Sequence, residues 1–205
     1  MRVKLLKFDV DAVERVVEAA QVCRQSHREM TDGERAVFVS DLLTKGHLSP
    51  FEFTDYTFQI DGISRVASHQ LVRHRHLSFQ QESQRTVKPG AFYHLPESFS
   101  RLKNSQIIDE ILTATTAVYE KLIAEGMKKE DARYLLPLAT TSSLVVKGSA
   151  RAWLEYLELR CCMQAEAELR DGSMQILTLL KSLHPVIFNG AGPRCDQCWN
   201  RGRCK

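Results

Sequence analysis

Apolar residues recur at helical spacing over much of this chain and alternate over little of it. Val13, Val16, Val17, Ala20 and Cys23 predict a helix over residues 11–26, and a second fits residues 34–45, closed by Gly46. Residues 53–60, FTDYTFQI, mix β-branched and aromatic types with partial alternation and predict a strand that Gly62 closes. Helical spacing resumes with Ile63, Val66, Ala67 and Leu71 on a helix continuing to His74. The longest apolar stripe runs from Ile107 through Ile111, Leu112, Val118 and Tyr119 to Ile123, stops at Gly126, and reads as scaffold. A short helix begun near Glu130 is ended by Pro137, and TTSSLVV predicts a strand over residues 140–146. Two more helices, 150–161 and 165–183, precede a tail rich in Gly, Pro and Cys. These elements make an α+β chain with helices predominating: one domain over residues 1–190 and a Cys-rich tail at 191–205.

Composition narrows the choices. A chain of 205 residues, 43% hydrophobic, suffices for one well-packed core and is short for two. No apolar run approaches the roughly 20 residues of a membrane helix, and acidic residues interrupt the first segment where a signal peptide keeps an apolar core. A soluble, cytoplasmic protein is expected. The formal net charge of +3 is too small to steer the whole molecule onto nucleic acid or an acidic membrane, so any function that needs cations must be local. Arg65, Arg73, His74, Arg75, His76, Arg85 and Lys88 supply that locality, with Glu82 the only acidic residue among them.

Six cysteines without a secretory signal favour reduced thiols or a metal over a disulfide framework. Cys195, Cys198 and Cys204 form CxxCxxxxxC, which with His184 or another thiol could hold zinc. Such a site beside a basic helix describes a non-enzymatic nucleotide- or RNA-binding protein, the competing class. The fourth ligand is undefined, and no metal site is assigned.

On a helix from Ile63 to about Arg75, Arg65, His69, Arg73 and His76 fall at offsets of four, four and three and share one face opposite the apolar stripe. Arg73 and Arg75 would point about 200° apart if both were helical, so they cannot hold the same phosphate. Either the helix ends at Arg73 or the segment serves two ligands, in sites shared between subunits. Beyond it, Gln81, Ser83 and Arg85 alternate, and an extended chain places all three on one side, a set suited to a nucleoside monophosphate. Trp153, Leu157 and Arg160 are spaced by four and three, so Arg160 continues an apolar stripe inward, where it needs an anionic partner.

The segment RHRHLSFQQESQR, residues 73–85, resembles the signature RHRxxSxNxxSxR of the flavin-dependent thymidylate synthases. It matches at Arg73, His74, Arg75, Ser78, Ser83 and Arg85 and departs at Gln80. GHLSPFEF, EDARYLLP, SARAWLEYLELRCC and FNGAGPRC resemble further segments of that family in the same order. The resemblance implies an α+β homotetramer with shared active sites that methylates uracil C5 reductively, converting dUMP to dTMP. FAD is the implied cofactor, with 5,10-methylenetetrahydrofolate and NADPH as co-substrates, and C5 methylation of UMP is the alternative. No membrane or nucleic-acid partner is implied.

By the same resemblance, Ser49, Arg73, His74, Arg75, Gln81, Ser149, Arg151 and Glu155 are expected to hold flavin. Gln70, Arg73, Gln81, Glu82, Ser83, Gln84, Arg85, Arg133 and Arg160 are expected to hold the nucleotide. Arg160 takes the catalytic role, favouring the N3-deprotonated uracil. Ser149, Glu155 and Thr86 depart from the family's usual residues. Glu155 brings a negative charge near the cofactor unless Arg151, one turn earlier, neutralises it. No protein nucleophile is required, and Cys161 and Cys162 are expected in the core.

Overall fold

The computed structural model describes residues 1–23, 25–87 and 93–193. In chain order the elements are β1 (Arg2–Phe8), α1 (Ala12–Val22), α2 (Asp32–Thr44), β2 (Asp55–Ser64), α3 (Arg65–Leu71) and β3 (Ser78–Gln81). They continue with α4 (Ser105–Ala124), α5 (Lys129–Ala132), β4 (Thr141–Ser149), α6 (Ala150–Arg160), α7 (Ala167–Leu183) and α8 (Pro185–Phe188). Among the described residues the strands form one antiparallel sheet in the order β1-β2-β4-β3.

The two central strands, β2 and β4, dictate where the core lies. Tyr56, Phe58 and Ile60 on β2 and Leu144 and Val146 on β4 are buried, while Thr57, Gln59, Ser143 and Val145 between them are only partly covered. One face of the sheet is therefore packed and the other is left polar and open. Helices α3, α6 and α7 cover the packed face. Trp153 of α6 meets Phe58 edge-on with ring centroids 5.1 Å apart, and its indole N–H donates to the Tyr56 carbonyl at 3.2 Å.

The turns from β2 into α3 and from β4 into α6 are built alike. Ser64 and Ser149 are both extended, and each caps the helix that follows: Ser64 Oγ accepts from the Ala67 N–H at 3.1 Å, and Ser149 Oγ from the Ala152 N–H at 3.3 Å. A buried carboxylate, Glu168 at the start of α7, accepts from both the N–H of Ser64 (2.7 Å) and its hydroxyl. That pair of bonds fixes where α3 begins.

Several elements differ from the sequence expectation. Gly62 does not end β2. With φ of +73° it sits in a bulge between Asp61 and Ile63, and the strand runs on to Ser64. Residues Ser49–Phe53 form a 3-10 turn, so β2 starts two residues later than expected. Helix α3 ends at Leu71 and is followed by tight single turns, His74 N–H to Leu71 O at 3.1 Å and Leu77 N–H to His74 O at 3.0 Å. His76 therefore leaves the file of cations predicted for a longer helix. The expected helix before Pro137 divides into α5 and a 3-10 turn over Arg133–Leu135.

Helix α4 is not internal scaffold. Tyr119 is its one buried residue, and it rests chiefly on α5 and the turn after it. Ile107, Ile111 and Val118 are 55%, 58% and 48% exposed. Among the described residues no helix is long and apolar enough to cross a membrane.

Candidate active site

The Arg-His-Arg run turns about its middle residue. His74 faces inward, half-buried, with its ring 4.9 Å from that of Tyr156 and nearly perpendicular to it. Arg73 and Arg75 on either side are exposed, and among the described residues neither joins an ion pair. The helix ends before Arg73, the first of the two options open in the sequence. Two guanidinium groups are thus presented outward from one turn, separated by an imidazole that acts as a strut.

Arg160, the last residue of α6, reaches this strut. Its Nε donates to His74 Nε2 at 2.7 Å, Nη1 donates to Gln70 Oε1 at 3.3 Å, and Nη2 lies 3.5 Å from the Gln70 carbonyl. An anionic partner was expected, and these partners are both neutral. Burial first, and the Arg160 charge second, lower the His74 pKa to about 4, so the ring accepts as a neutral imidazole. A guanidinium held by neutral acceptors keeps its full charge for a ligand.

The second half of the signature is pinned rather than extended. Gln81 Nε2 donates to Ser142 Oγ at 2.8 Å, and Glu82 pairs with the Ser143 backbone, its carboxylate accepting the N–H at 3.1 Å. The chain then turns, with the N–H groups of Thr86 and Val87 both on the Ser83 carbonyl (3.1 and 2.9 Å). Gln81, Ser83 and Arg85 therefore do not line one side of a strand, as their alternation predicts. Arg85 folds back onto Glu130, donating through Nε (3.1 Å) and Nη2 (2.7 Å) to one carboxylate oxygen. Gln84 leaves its buried amide nitrogen without a partner among the described residues. Arg133 donates through Nε to the Glu130 carbonyl at 3.2 Å.

A cleft of about 360 Å³ opens beside the Arg-His-Arg turn, lined by His76, Ser78, Ser149, Arg151 and Glu155 and also by Glu52, Asp55 and Lys147. Arg151 is clamped between Glu155 at 3.0 Å and Glu52 at 2.6 Å, so the neutralisation expected of it occurs twice over. Lys147 pairs with Asp55 at 2.7 Å. Sequence reasoning missed Glu52, Asp55 and Lys147, whose convergence depends on the pairing of Asp55 with Ser149 across the sheet. The nearest sequence signal was Glu52 itself, inside GHLSPFEF.

Ser49 does not join this cleft; it lies in a separate, largely apolar hollow with Arg15, Val22, Cys23, Pro50 and Phe53. Cys161 is buried, and burial pushes its thiol up to about 12, which suits the core role expected of it. His184, considered above as a zinc ligand, has Nδ1 on the Tyr56 hydroxyl (2.8 Å) and Nε2 3.4 Å from the Val10 carbonyl. Cys195, Cys198 and Cys204 lie outside the described residues, as does Lys88.

Exposed arginines around an inward Arg–His–Gln cluster, on a one-sided antiparallel sheet, define an α+β domain equipped for anionic ligands. The family model described as "Thymidylate synthase complementing protein" matches residues 4–186. The flavin-dependent thymidylate synthase of Sulfolobus acidocaldarius is 36% identical over 203 residues, covering 95% of this chain and 78% of the relative. That of Geobacter sulfurreducens is 36% identical over 205 residues, covering 95% and 88%. Among solved structures, the UMP/dUMP methylase PolB from Streptomyces cacaoi bound with 5-Br dUMP superimposes with a TM-score of 0.84 at 24% identity, covering 92% of this chain and 93% of that one. The chain belongs to the flavin-dependent thymidylate synthase family.

Proposed function

We propose that this chain methylates uracil C5 reductively, converting dUMP to dTMP with FAD, 5,10-methylenetetrahydrofolate and NADPH. Family membership supports the chemistry, and the placement of Arg160 supports its location. A cation held by two neutral partners suits a uracil ring deprotonated at N3, whose added electron density makes C5 a better nucleophile. Arg160 cannot act as the base, because guanidinium keeps its proton at neutral pH. Its contribution is electrostatic and its position is set by His74 and Gln70.

The residues present fit a flavin dinucleotide. Arg73 and Arg75 would hold its phosphates, and Ser78, Ser149 and Arg151 its polar groups along the cleft. When bound, the flavin supplies the hydride that completes the methyl group, and NADPH restores it. The cleft lies at the small end of the roughly 300–1,000 Å³ range of ligand pockets and is too small to enclose a dinucleotide alone. A second copy would complete the site, and the uncovered apolar face of α4 supports a homotetramer with shared sites. Free thiols at Cys23, Cys161 and Cys162 suit the reducing cytoplasm.

UMP is the second reading, favoured by the description of the solved relative as a UMP/dUMP methylase. Incubation of purified protein with FAD, NADPH, methylenetetrahydrofolate and either nucleotide, with products identified by mass, tests both. Formation of dTMP is expected, a strong preference for UMP moves the assignment to the ribonucleotide, and no methylated product from either refutes the activity.

A further inference from the structure

Gly148 lies inside β4, opposite Tyr56 of β2. A glycine there weakens the strand, and its φ is not in the left-handed region, so the backbone conformation does not ask for one. The space does. A Cβ added at this position would overlap Leu77 Cδ2, whereas Ala152 Cβ at 3.4 Å and Trp153 Nε1 at 3.5 Å would tolerate it. Leu77 is buried in the core with Ala152 and Trp153. Its N–H donates to the His74 carbonyl at 3.0 Å, closing the turn that presents Arg75, and the next residue, Ser78, begins β3 opposite Lys147.

We infer that Gly148 is a positioning residue for flavin: its bare α-carbon is the socket in which Leu77 sits, and that seat fixes the Arg-His-Arg turn against β4. The inference rests on the flavin reading given above and deepens it. A close-packed core leaves a branched side chain no spare rotamer, so a methyl group on residue 148 displaces the backbone of Leu77 along with its side chain. Arg75 and Ser78 lie within two residues of Leu77 and move with it, relative to a cleft that Gly148 and Ala152 themselves help to line. The nucleotide half of the signature is held separately, by Gln81 on Ser142 and Glu82 on Ser143, farther along β4. The socket therefore governs the flavin half and spares the nucleotide half.

The test uses the full chain as native protein, Gly148→Ala, Leu77→Val and the double variant. Leu77→Val removes the δ-methyl group that blocks a Cβ at 148 and keeps an apolar anchor. FAD affinity is measured by fluorescence titration, dUMP affinity on flavin-saturated protein, and amide hydrogen exchange over residues 74–78 on protein without ligands. Gly148→Ala is expected to weaken FAD by about tenfold or more, the size of one lost charge-assisted contact, and to speed exchange at Leu77, with dUMP changed by less than about threefold. Leu77→Val alone should stay within about threefold of native for FAD, and in that background Gly148→Ala should cost little, because the two substitutions act through one contact. A Gly148→Ala chain that does not fold, beside a double variant that folds and binds FAD, supports the same conclusion. Unchanged FAD affinity in Gly148→Ala, an equal cost in both backgrounds, equal losses for FAD and dUMP, or a double variant that does not fold would overturn the socket. If the native protein takes up no FAD but the exchange pattern follows the four variants as described, the socket stands as a seat for the turn and the flavin reading fails.

Discussion

Arg160 donates through Nε to the unprotonated Nε2 of His74 at 2.7 Å, so a residue of the Arg-His-Arg turn positions a guanidinium that lies 86 residues later in the chain. Two bonds from the same guanidinium to Gln70 complete the attachment. An ammonium at this position has the charge but cannot span both acceptors.

Arg160→Lys is therefore expected to bind flavin normally and to lose about 10²-fold or more in turnover, the range seen when one preorganised electrostatic donor is removed. Flavin titration and steady-state kinetics on the same preparation check this. Full activity would show that the electrostatic role belongs elsewhere.

The neutral state of His74 makes stability depend on pH. Its pKa lies at about 4 in the folded chain against an ordinary 6.5, so between those values the unfolded chain takes up a proton that the folded one refuses. The contribution is whole above 6.5 and is lost as the pH falls toward 4. Thermal melts at about pH 7.5 and about pH 5.5 should show a lower Tm at the acid value, and His74→Gln should narrow the difference. His184, also lowered by burial, acts in the same direction, so the narrowing is partial.

Glu168 is nearly enclosed and satisfies two donors of Ser64 at the start of the helix that carries Gln70. Glu168→Ala is expected to destabilise the chain by about 2–4 kcal/mol, because it strands a buried N–H and a hydroxyl. Urea unfolding measures this. A change below about 0.5 kcal/mol, the size of an ordinary surface substitution, would remove Glu168 from the framework of the site.

The cleft sets three carboxylates, Glu52, Asp55 and Glu155, against Lys147 and Arg151. Glu155→Asn should release Arg151 from one partner and tighten flavin by about two- to fivefold, as suits a partly exposed charge. Flavin fluorescence titration decides it. Weaker binding would mean that the Glu155 carboxylate itself contacts the cofactor.

Legibility from sequence followed the length and burial of each element. Helices α1, α2, α6 and α7 are located to within about a turn because their apolar positions recur at regular helical spacing. Strand β1 was missed: its lysines and doubled leucines blur the alternation, and its register slips between Leu5 and Lys7. Strand β3 has four residues, too few for a periodic signal. The inward turn of Arg160 and its stripe with Trp153 and Leu157 were readable from spacing alone. The Glu52–Arg151–Glu155 clamp was only half readable, since the helical pair is local whereas Glu52 arrives by tertiary folding. The exposed stripe of α4 looked like scaffold because periodicity reports an apolar face and not what covers it.

The most direct measurement is release of tritium from dUMP labelled at uracil C5, since methylation there must expel that hydrogen. Release in step with dTMP formation, dependent on flavin, NADPH and methylenetetrahydrofolate and largely lost in Arg160→Lys, is the expected result. Protein that binds flavin and dUMP yet releases no tritium with the full set of co-substrates would contradict C5 methylation as its activity.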